Sequence, residues 1–462
     1  EESWRMLSSP VSGSSYNDLL GEFWTQGFKG ADVSGGSPNV LVYNTANNAF
    51  EAPDSLGQKI SPGTGFVYFV FEKDEGPGSS GSFPKNMTVS GSQHGEVSPE
   101  LNSSSSGFTL VGNPFASTID VDDVNRTNVK DAVYVYRSSD NTYISWNGVG
   151  GELEDGLISP FQGFWVNTMD SGTPSLTIPT SAKTTGSAFY KAQEKRPALQ
   201  ISANSEDHEN TAWLTFTQDG KIGIDRKDAA ELQPLDFADY LSLATEVDGQ
   251  LMDINNLPLP PSENLRIPLR VNSFAAESNG WVATEEEITL SWPTIKNVPD
   301  SWKLRLMDHA KDNRVNILEK STYRFTIQPA ADKAKRRVYE HTFQPVKIAS
   351  NSSSPRFELL IEGATTGLSS DPAVASEISL NQNYPNPFNP STEISFSLPR
   401  AGSVELTIFN INGQKVARLV EGNLNAGSHT VTWNAEGFAS GIYLYRLKTE
   451  QATLERKMVL IK

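Results

Sequence analysis

Apolar and polar residues alternate with a period of two along most of this chain, the mark of strands that bury one face. Between residues 197 and 363 seven such runs follow one another, at 199–202, 211–216, 265–271, 287–292, 302–306, 323–327 and 356–361. Seven short strands separated by turn residues predict a β-sandwich of immunoglobulin-like type. Three further alternations, at 394–398, 404–409 and 442–447, are punctuated by Gly, Pro and Asn and predict a smaller antiparallel sandwich at the C-terminus. There Asn412-Gly413 follows a strand directly, and Asn-Gly suits a tight hairpin whose two central residues need positive φ.

The first 180 residues carry a degenerate repeat. Trp4-Arg5-Met6-Leu7-Ser8-Ser9-Pro10-Val11 aligns with Phe108-Thr109-Leu110-Val111-Gly112-Asn113-Pro114-Phe115. Pro38-Asn39-Val40-Leu41-Val42-Tyr43 aligns with Asp131-Ala132-Val133-Tyr134-Val135-Tyr136, and Ile60-Ser61-Pro62-Gly63-Thr64-Gly65-Phe66 with Ile158-Ser159-Pro160-Phe161-Gln162-Gly163-Phe164. The order is the same in both halves, about 1–75 and 107–170, so a duplicated structural unit sharing one core is expected. A short helix over 16–24 is predicted, with Ser15 placed to accept from its first free N–H groups. Polar stretches at 181–196 and 364–379 read as linkers. The whole is all-β: a β-rich domain at 1–180, a sandwich at 197–363 and a terminal module at 380–462.

Composition narrows the partners. The chain has 462 residues and a net charge of −17, which repels nucleic acid phosphates. Residues 381–462 hold eight Lys/Arg and six Glu, or +2, which leaves −19 for the rest. A near-neutral module on an acidic body fits an appended element with its own partner. Cysteine is absent, which excludes disulfides and thiolate chemistry. No run of eighteen apolar residues occurs, so no helical membrane span is expected. The opening Glu1-Glu2-Ser3-Trp4 reads as the inside of a strand, and a longer precursor is expected.

Catalytic constellations are sparse. The five histidines form neither HExxH nor HxH pairs, and no G-x-S-x-G elbow, P-loop or dinucleotide fingerprint occurs. Asp120, Asp122 and Asp123 place carboxylates close together, a donor set suited to Ca2+, with solvated turn carboxylates as the plainer reading. Asp219, Asp225 and Asp228 form a second, looser acidic run. No other cofactor is expected. Trp24, Tyr43, Phe50, Tyr134, Tyr136, Tyr143, Trp146 and Trp165 make the first domain rich in rings, which either stack on sugars or fill a sandwich core.

The terminal module carries motifs beyond its alternation. Tyr384-Pro385-Asn386-Pro387-Phe388-Asn389-Pro390, the strand with Ile394 and Phe396, Asn412-Gly413-Gln414, Trp433, Ala439-Ser440-Gly441-Ile442-Tyr443 and the closing Lys457-Met458-Val459-Leu460 resemble the type A C-terminal sorting domain of type IX secretion substrates. The resemblance covers 380–462 and implies an immunoglobulin-like fold, recognition by the type IX secretion machinery, and export across an outer membrane to the surface or beyond. It also implies that the domain is often removed on the way. The expectation is an exported, non-catalytic structural or adhesive protein, meeting surface glycans or assembling with itself into filaments or a layer. The alternative is the non-catalytic C-terminal portion of a secreted hydrolase, with carbohydrate binding as one role open to it.

Overall fold

The computed structural model describes residues 2–71, 83, 85–104, 107–170, 172–184, 196–236, 238–259, 264–278, 280–328, 336–338, 345–346, 354–362, 378–380, 383, 386, 388–398, 402–411, 413–424, 427–449 and 451–461. Of the stretches expected to be linkers, 181–196 and 364–379, residues 185–195 and 364–377 lie outside them, whereas Lys183–Thr184 pairs with Thr118 and Ile119 and Ser379 pairs with Ser397, so these ends belong to sheets. The regular structure of the described residues is nearly all β, and the chain divides into two compact units, Glu1–Thr366 and Gly367–Lys462.

The repeat seen in the sequence is a repeat of topology and of register. In the first half the strands Ser3–Ser8, Gly65–Val70, Val40–Asn44 and Ala49–Glu51 lie side by side in that order, all antiparallel. The second half sets Phe108–Gly112, Gly163–Thr168, Val129–Arg137 and Thr142–Trp146 in the same order. Aligned residues find aligned partners. Leu7 faces Phe66 as Val111 faces Phe164, and Leu41 faces Val67 as Tyr134 faces Trp165. At the hairpins Tyr43 meets Phe50 edge-on at 5.3 Å, and Tyr136 meets Tyr143 at 5.2 Å. Even the special backbone positions recur: Asn48 (φ 53°) matches Asn141 (φ 57°), and Gly63 (φ 75°) matches Phe161 (φ 63°).

The halves meet across a seam that repeats itself. Ser8 N donates to Phe161 O and Gly112 N donates to Gly63 O, both at 2.8 Å. Single bridges join Leu7 to Gln162 and Thr64 to Val111. In each pair the first contact maps onto the second when the halves are exchanged, which is the rule of an isologous, two-fold interface, here inside one chain. Close approach accounts for the repeated glycine: a Cβ at Gly65 would sit 2.7 Å from Val111 O, and one at Gly163 3.0 Å from Leu7 O.

The halves differ in what they add. The first has the helix Tyr16–Leu20, with Ser15 and Asp18 forming a reciprocal capping box. It stops at Gly21, short of the expected 24, because glycine disfavours continuation and the chain turns at once into Phe23. The second half substitutes a 3-10 turn, Val121–Asp123.

Residues 197–363 contain all seven expected strands: Ala198–Asn204, Glu209–Thr217, Leu265–Glu277, Glu286–Ser291, Lys303–Asp308, Thr322–Ile327 and Phe357–Glu362. Among the described residues they belong to a hydrogen-bonded network of fourteen strands around a core that includes Leu214, Phe216, Leu243, Leu304 and Phe357. A further hairpin, Tyr240–Val247 with Gln250–Pro258, turns at Asp248-Gly249 (φ 49° and 77°), and its second strand runs parallel to Glu209–Thr217. A separate apolar cluster joins the repeat to this sheet, with Met6, Tyr134, Tyr136 and Trp165 packed with Ala198, Trp213, Leu232 and Ile254. Polar contacts fasten the same junction. Asp131 binds Arg226 at 2.5 Å and Lys227 at 2.8 Å, and Tyr134 Oη accepts from Ala230 N at 2.8 Å.

Among the described residues the C-terminal unit is a sandwich of seven strands. One sheet orders Ser379–Leu380, Ser391–Leu398 and Gly427–Asn434; the other orders Lys415–Leu424, Gly402–Asn410, Gly441–Thr449 and Thr453–Leu460. Inward residues Ile394, Phe396, Leu406, Ile408, Tyr445, Leu447 and Met458 form its core.

Candidate functional site: the terminal module and the acidic turns

The motif that opens the module closes its last strand. Phe388 N donates to Val459 O and Phe388 O accepts from Ile461 N, both at 3.0 Å, which makes a parallel bridge between Phe388 and Leu460. Asn386, itself exposed, uses Oδ1 to accept from Val459 N at 2.9 Å. The Phe388 ring is 2% exposed and packs on Trp433 at 5.5 Å. Trp433 in turn meets Tyr443 at 5.3 Å, and Tyr443 Oη donates to Ala439 O at 2.8 Å, so the Ala439–Tyr443 segment is pinned at its corner. Pro390 O accepts from Ala435 N at 2.8 Å, and Asn389 lies exposed between these anchors. Tyr384, Pro385 and Pro387 fall outside the described residues.

The remaining motif positions occupy turns and the outer face. Gly413 takes φ 74°, and Gln414 N donates to Asn410 Oδ1 at 3.0 Å while Asn410 Nδ2 donates to Gln414 Oε1 at 2.8 Å. Gly441 sits opposite Leu460 at φ 155°, and exposed Lys457 sits opposite Leu444. Sequence reasoning missed Asn383. Buried at 2% exposure, it donates from N to Tyr445 Oη at 2.8 Å and from Nδ2 to Thr392 Oγ1 at 2.9 Å. Its position one residue before Tyr384 was the available signal.

The acidic residues have backbone and ring partners. Asp120 Oδ1 accepts from Asp122 N at 2.9 Å and so caps the 3-10 turn. Asp122 Oδ1 accepts from Trp146 Nε1 at 3.1 Å, and Asp123 is exposed. Among the described residues no group of three or more His, Asp or Glu side chains is placed to hold a metal ion. In the second run Asp225 accepts from Lys227 N at 2.7 Å and Asn256 Nδ2 at 2.9 Å. Asp228, wholly buried, accepts from Asp225 N at 2.5 Å and Asn256 N at 2.6 Å. Burial, and then the nearby Asp225 charge, push the Asp228 carboxyl up to about 7. The rings of the first domain are used in packing: Tyr43, Tyr134, Tyr136, Tyr143, Trp146 and Trp165 are all buried.

Residues 382–462 match the family described as the secretion system C-terminal sorting domain. No curated protein matches the chain. A solved structure of PorZ, a bacterial surface component of the type-IX secretion system of Porphyromonas gingivalis, aligns over 83% of this chain at 10% identity with a TM-score of 0.14. The chain spans 61% of that protein, and a likeness this slight carries no argument about fold or role. The terminal module is a type IX sorting domain, and it marks its protein for export to the cell surface or the extracellular space.

Proposed function

We propose that the unit Glu1–Thr366 is cargo for contact rather than turnover: a non-catalytic body, adhesive or structural, carried out by the sorting domain. The observation that supports this is the reciprocal seam. It locks two copies of one sheet together and, through the Asp131 ion pairs and the shared apolar cluster, onto the larger sheet. Such a body keeps its shape without disulfides and offers rigid loops to a partner, a surface glycan or another copy. The machinery of type IX secretion is the partner of the module alone.

The test is display and adherence in a host that has this secretion route. The full chain should reach the surface and raise attachment to glycan-coated plates, and deleting residues 380–462 should abolish display. Electron microscopy of the purified protein separates adhesion by single molecules from assembly into filaments. Display that persists without the module, or turnover of a glycan or peptide substrate by the purified body, would overturn this reading.

A further inference from the structure

One end of the terminal module carries an aliphatic face that its core does not use. Seven large apolar side chains are exposed among the described residues, and three of them belong to the module: Ile411 at 72%, Ile442 at 45% and Ile461 at 51%. Alternation along the last two strands places them. In Gly441–Thr449 the buried residues are Tyr443, Tyr445 and Leu447, so Ile442, Leu444 and Arg446 point outward. In Thr453–Leu460 the buried residues are Met458 and Leu460, so Lys457 and Val459 point outward. Ile442 lies opposite Val459, and Leu444 lies between Phe409 and Lys457. Asn410 pairs with Tyr443, so Ile411 stands at the hairpin tip of the same end, and Ile461 follows Leu460 there. The inward half of the closing motifs, Tyr443, Met458 and Leu460, is accounted for by the core; Ile442 and Val459 lie outside it.

The face is preformed. The opening motif holds Val459 from the side, since Val459 N donates to Asn386 Oδ1 at 2.9 Å and Val459 O accepts from Phe388 N at 3.0 Å. Ile461 N donates to Phe388 O at 3.0 Å, and Gly413 N closes the turn of Ile411 on Asn410 O at 2.9 Å. Beside the aliphatic end the Arg446 guanidinium lies 4.7 Å over the Phe409 ring and pairs with Glu455 at 2.6 Å. Apolar groups fixed in this way give up little freedom on docking.

Size and charge choose the occupant. Four strands about 4.8 Å apart and about nine residues long, at about 3.4 Å each, give a sheet face of about 600 Å2, and the aliphatic end is less than half of it. A stable dimer buries about 800 Å2 on each partner. A second copy would also bring together two chains of net charge −17, and an anionic lipid surface would repel the chain in the same way. A small, rigid aliphatic face suits a protein that holds the module briefly and releases it.

We propose that the secretion machinery grips the module here, through an aliphatic surface of its own seated on Ile411, Ile442, Val459 and Ile461. The contact rests on the module's part in export and locates it on one side of the sandwich.

Surface display of the full chain, in a host that has this secretion route, tests the contact. Ile411→Lys, Ile442→Lys and Ile461→Lys together should cut display about tenfold or more, while Thr432→Lys, exposed on the other sheet, should leave it unchanged. Calorimetry of the purified triple variant should show the C-terminal transition in place, because the three positions are solvated. Should that transition fall, Ile411→Lys alone carries the test, with a loss of display of about threefold or more. Normal display of either folded variant would overturn the proposal. So would sedimentation showing a wild-type dimer that the triple variant loses, or flotation of the wild type alone with vesicles of phosphatidylethanolamine and phosphatidylglycerol. Deleting residues 380–462 separates two failures: display lost on deletion but kept in the triple variant sinks the face alone, and display kept in both sinks the export role with it.

Discussion

Replacing Gly65 by alanine tests the internal two-fold most directly. The new methyl would stand 2.7 Å from Val111 O and 2.8 Å from Leu110 Cγ, so the facing strand must retreat about 0.7 Å to restore the 3.4 Å at which contact becomes ordinary. At Gly163 the nearest atom, Leu7 O, is 3.0 Å away, and about 0.4 Å is enough. Overpacking of a tight interior costs about 1–3 kcal/mol. Gly65→Ala belongs near the top of that range and Gly163→Ala near the bottom. Both methyls push on the same seam from opposite sides, so opening it for one relieves the other. The double variant should therefore fall short of the summed losses by about 0.5–1 kcal/mol. Urea unfolding followed by tryptophan fluorescence gives the three values, with Gly95→Ala as the control because nothing lies within 4 Å of a Cβ there. The control should be neutral or slightly stabilising. Single variants that match it, or losses that simply add, would refute a shared seam.

Other outcomes follow from the geometry. Phe388→Ala empties a core position against Trp433 and should lower the stability of the C-terminal unit by about 3–5 kcal/mol, read as an earlier calorimetric transition for that unit only. Asn386→Ala removes the acceptor of Val459 N and should cost about 1 kcal/mol, with faster hydrogen exchange at that amide as the specific readout. For Asp228 the folded carboxyl lies near 7 against an ordinary 3.8, so the folded protein holds the proton more tightly than the unfolded chain does. The stability this contributes is intact at low pH and is lost as pH rises through about 7, by up to roughly 4 kcal/mol. Buried Asp253, also raised by burial and by Glu231, pushes the same way. Urea midpoints taken from about pH 5 to about pH 8 should fall, and Asp228→Asn should flatten the fall; a rise in stability over that interval would contradict this account.

Much of the architecture was legible because burial on one face leaves a period-two record. The seven alternating runs became seven strands, and the three aligned segments of the repeat became matched registers. The hairpin 240–258 escaped because its second strand buries Asp253, Asn255 and Asn256 beside Met252 and Ile254. With both faces covered, polar and apolar positions no longer alternate with depth. The turn did leave a mark, since Asp-Gly between two β-prone runs is a strong hairpin signal. The module's motif was readable as a resemblance, yet its work in closing Thr453–Leu460 was not, because a parallel bridge between distant segments has no local pattern.

Leu460 lies between two neighbours, Gly441 on one flank and Phe388 on the other. The earliest part of the module thus waits for the latest, and no shorter piece can satisfy the backbone of Phe388. A nascent chain broken off before Thr453 would carry Trp433 without its full cover and a raw sheet margin, features that quality-control proteases recognise. The module therefore doubles as a check on its own synthesis: only cargo whose translation ran past Ile461 can present a closed one.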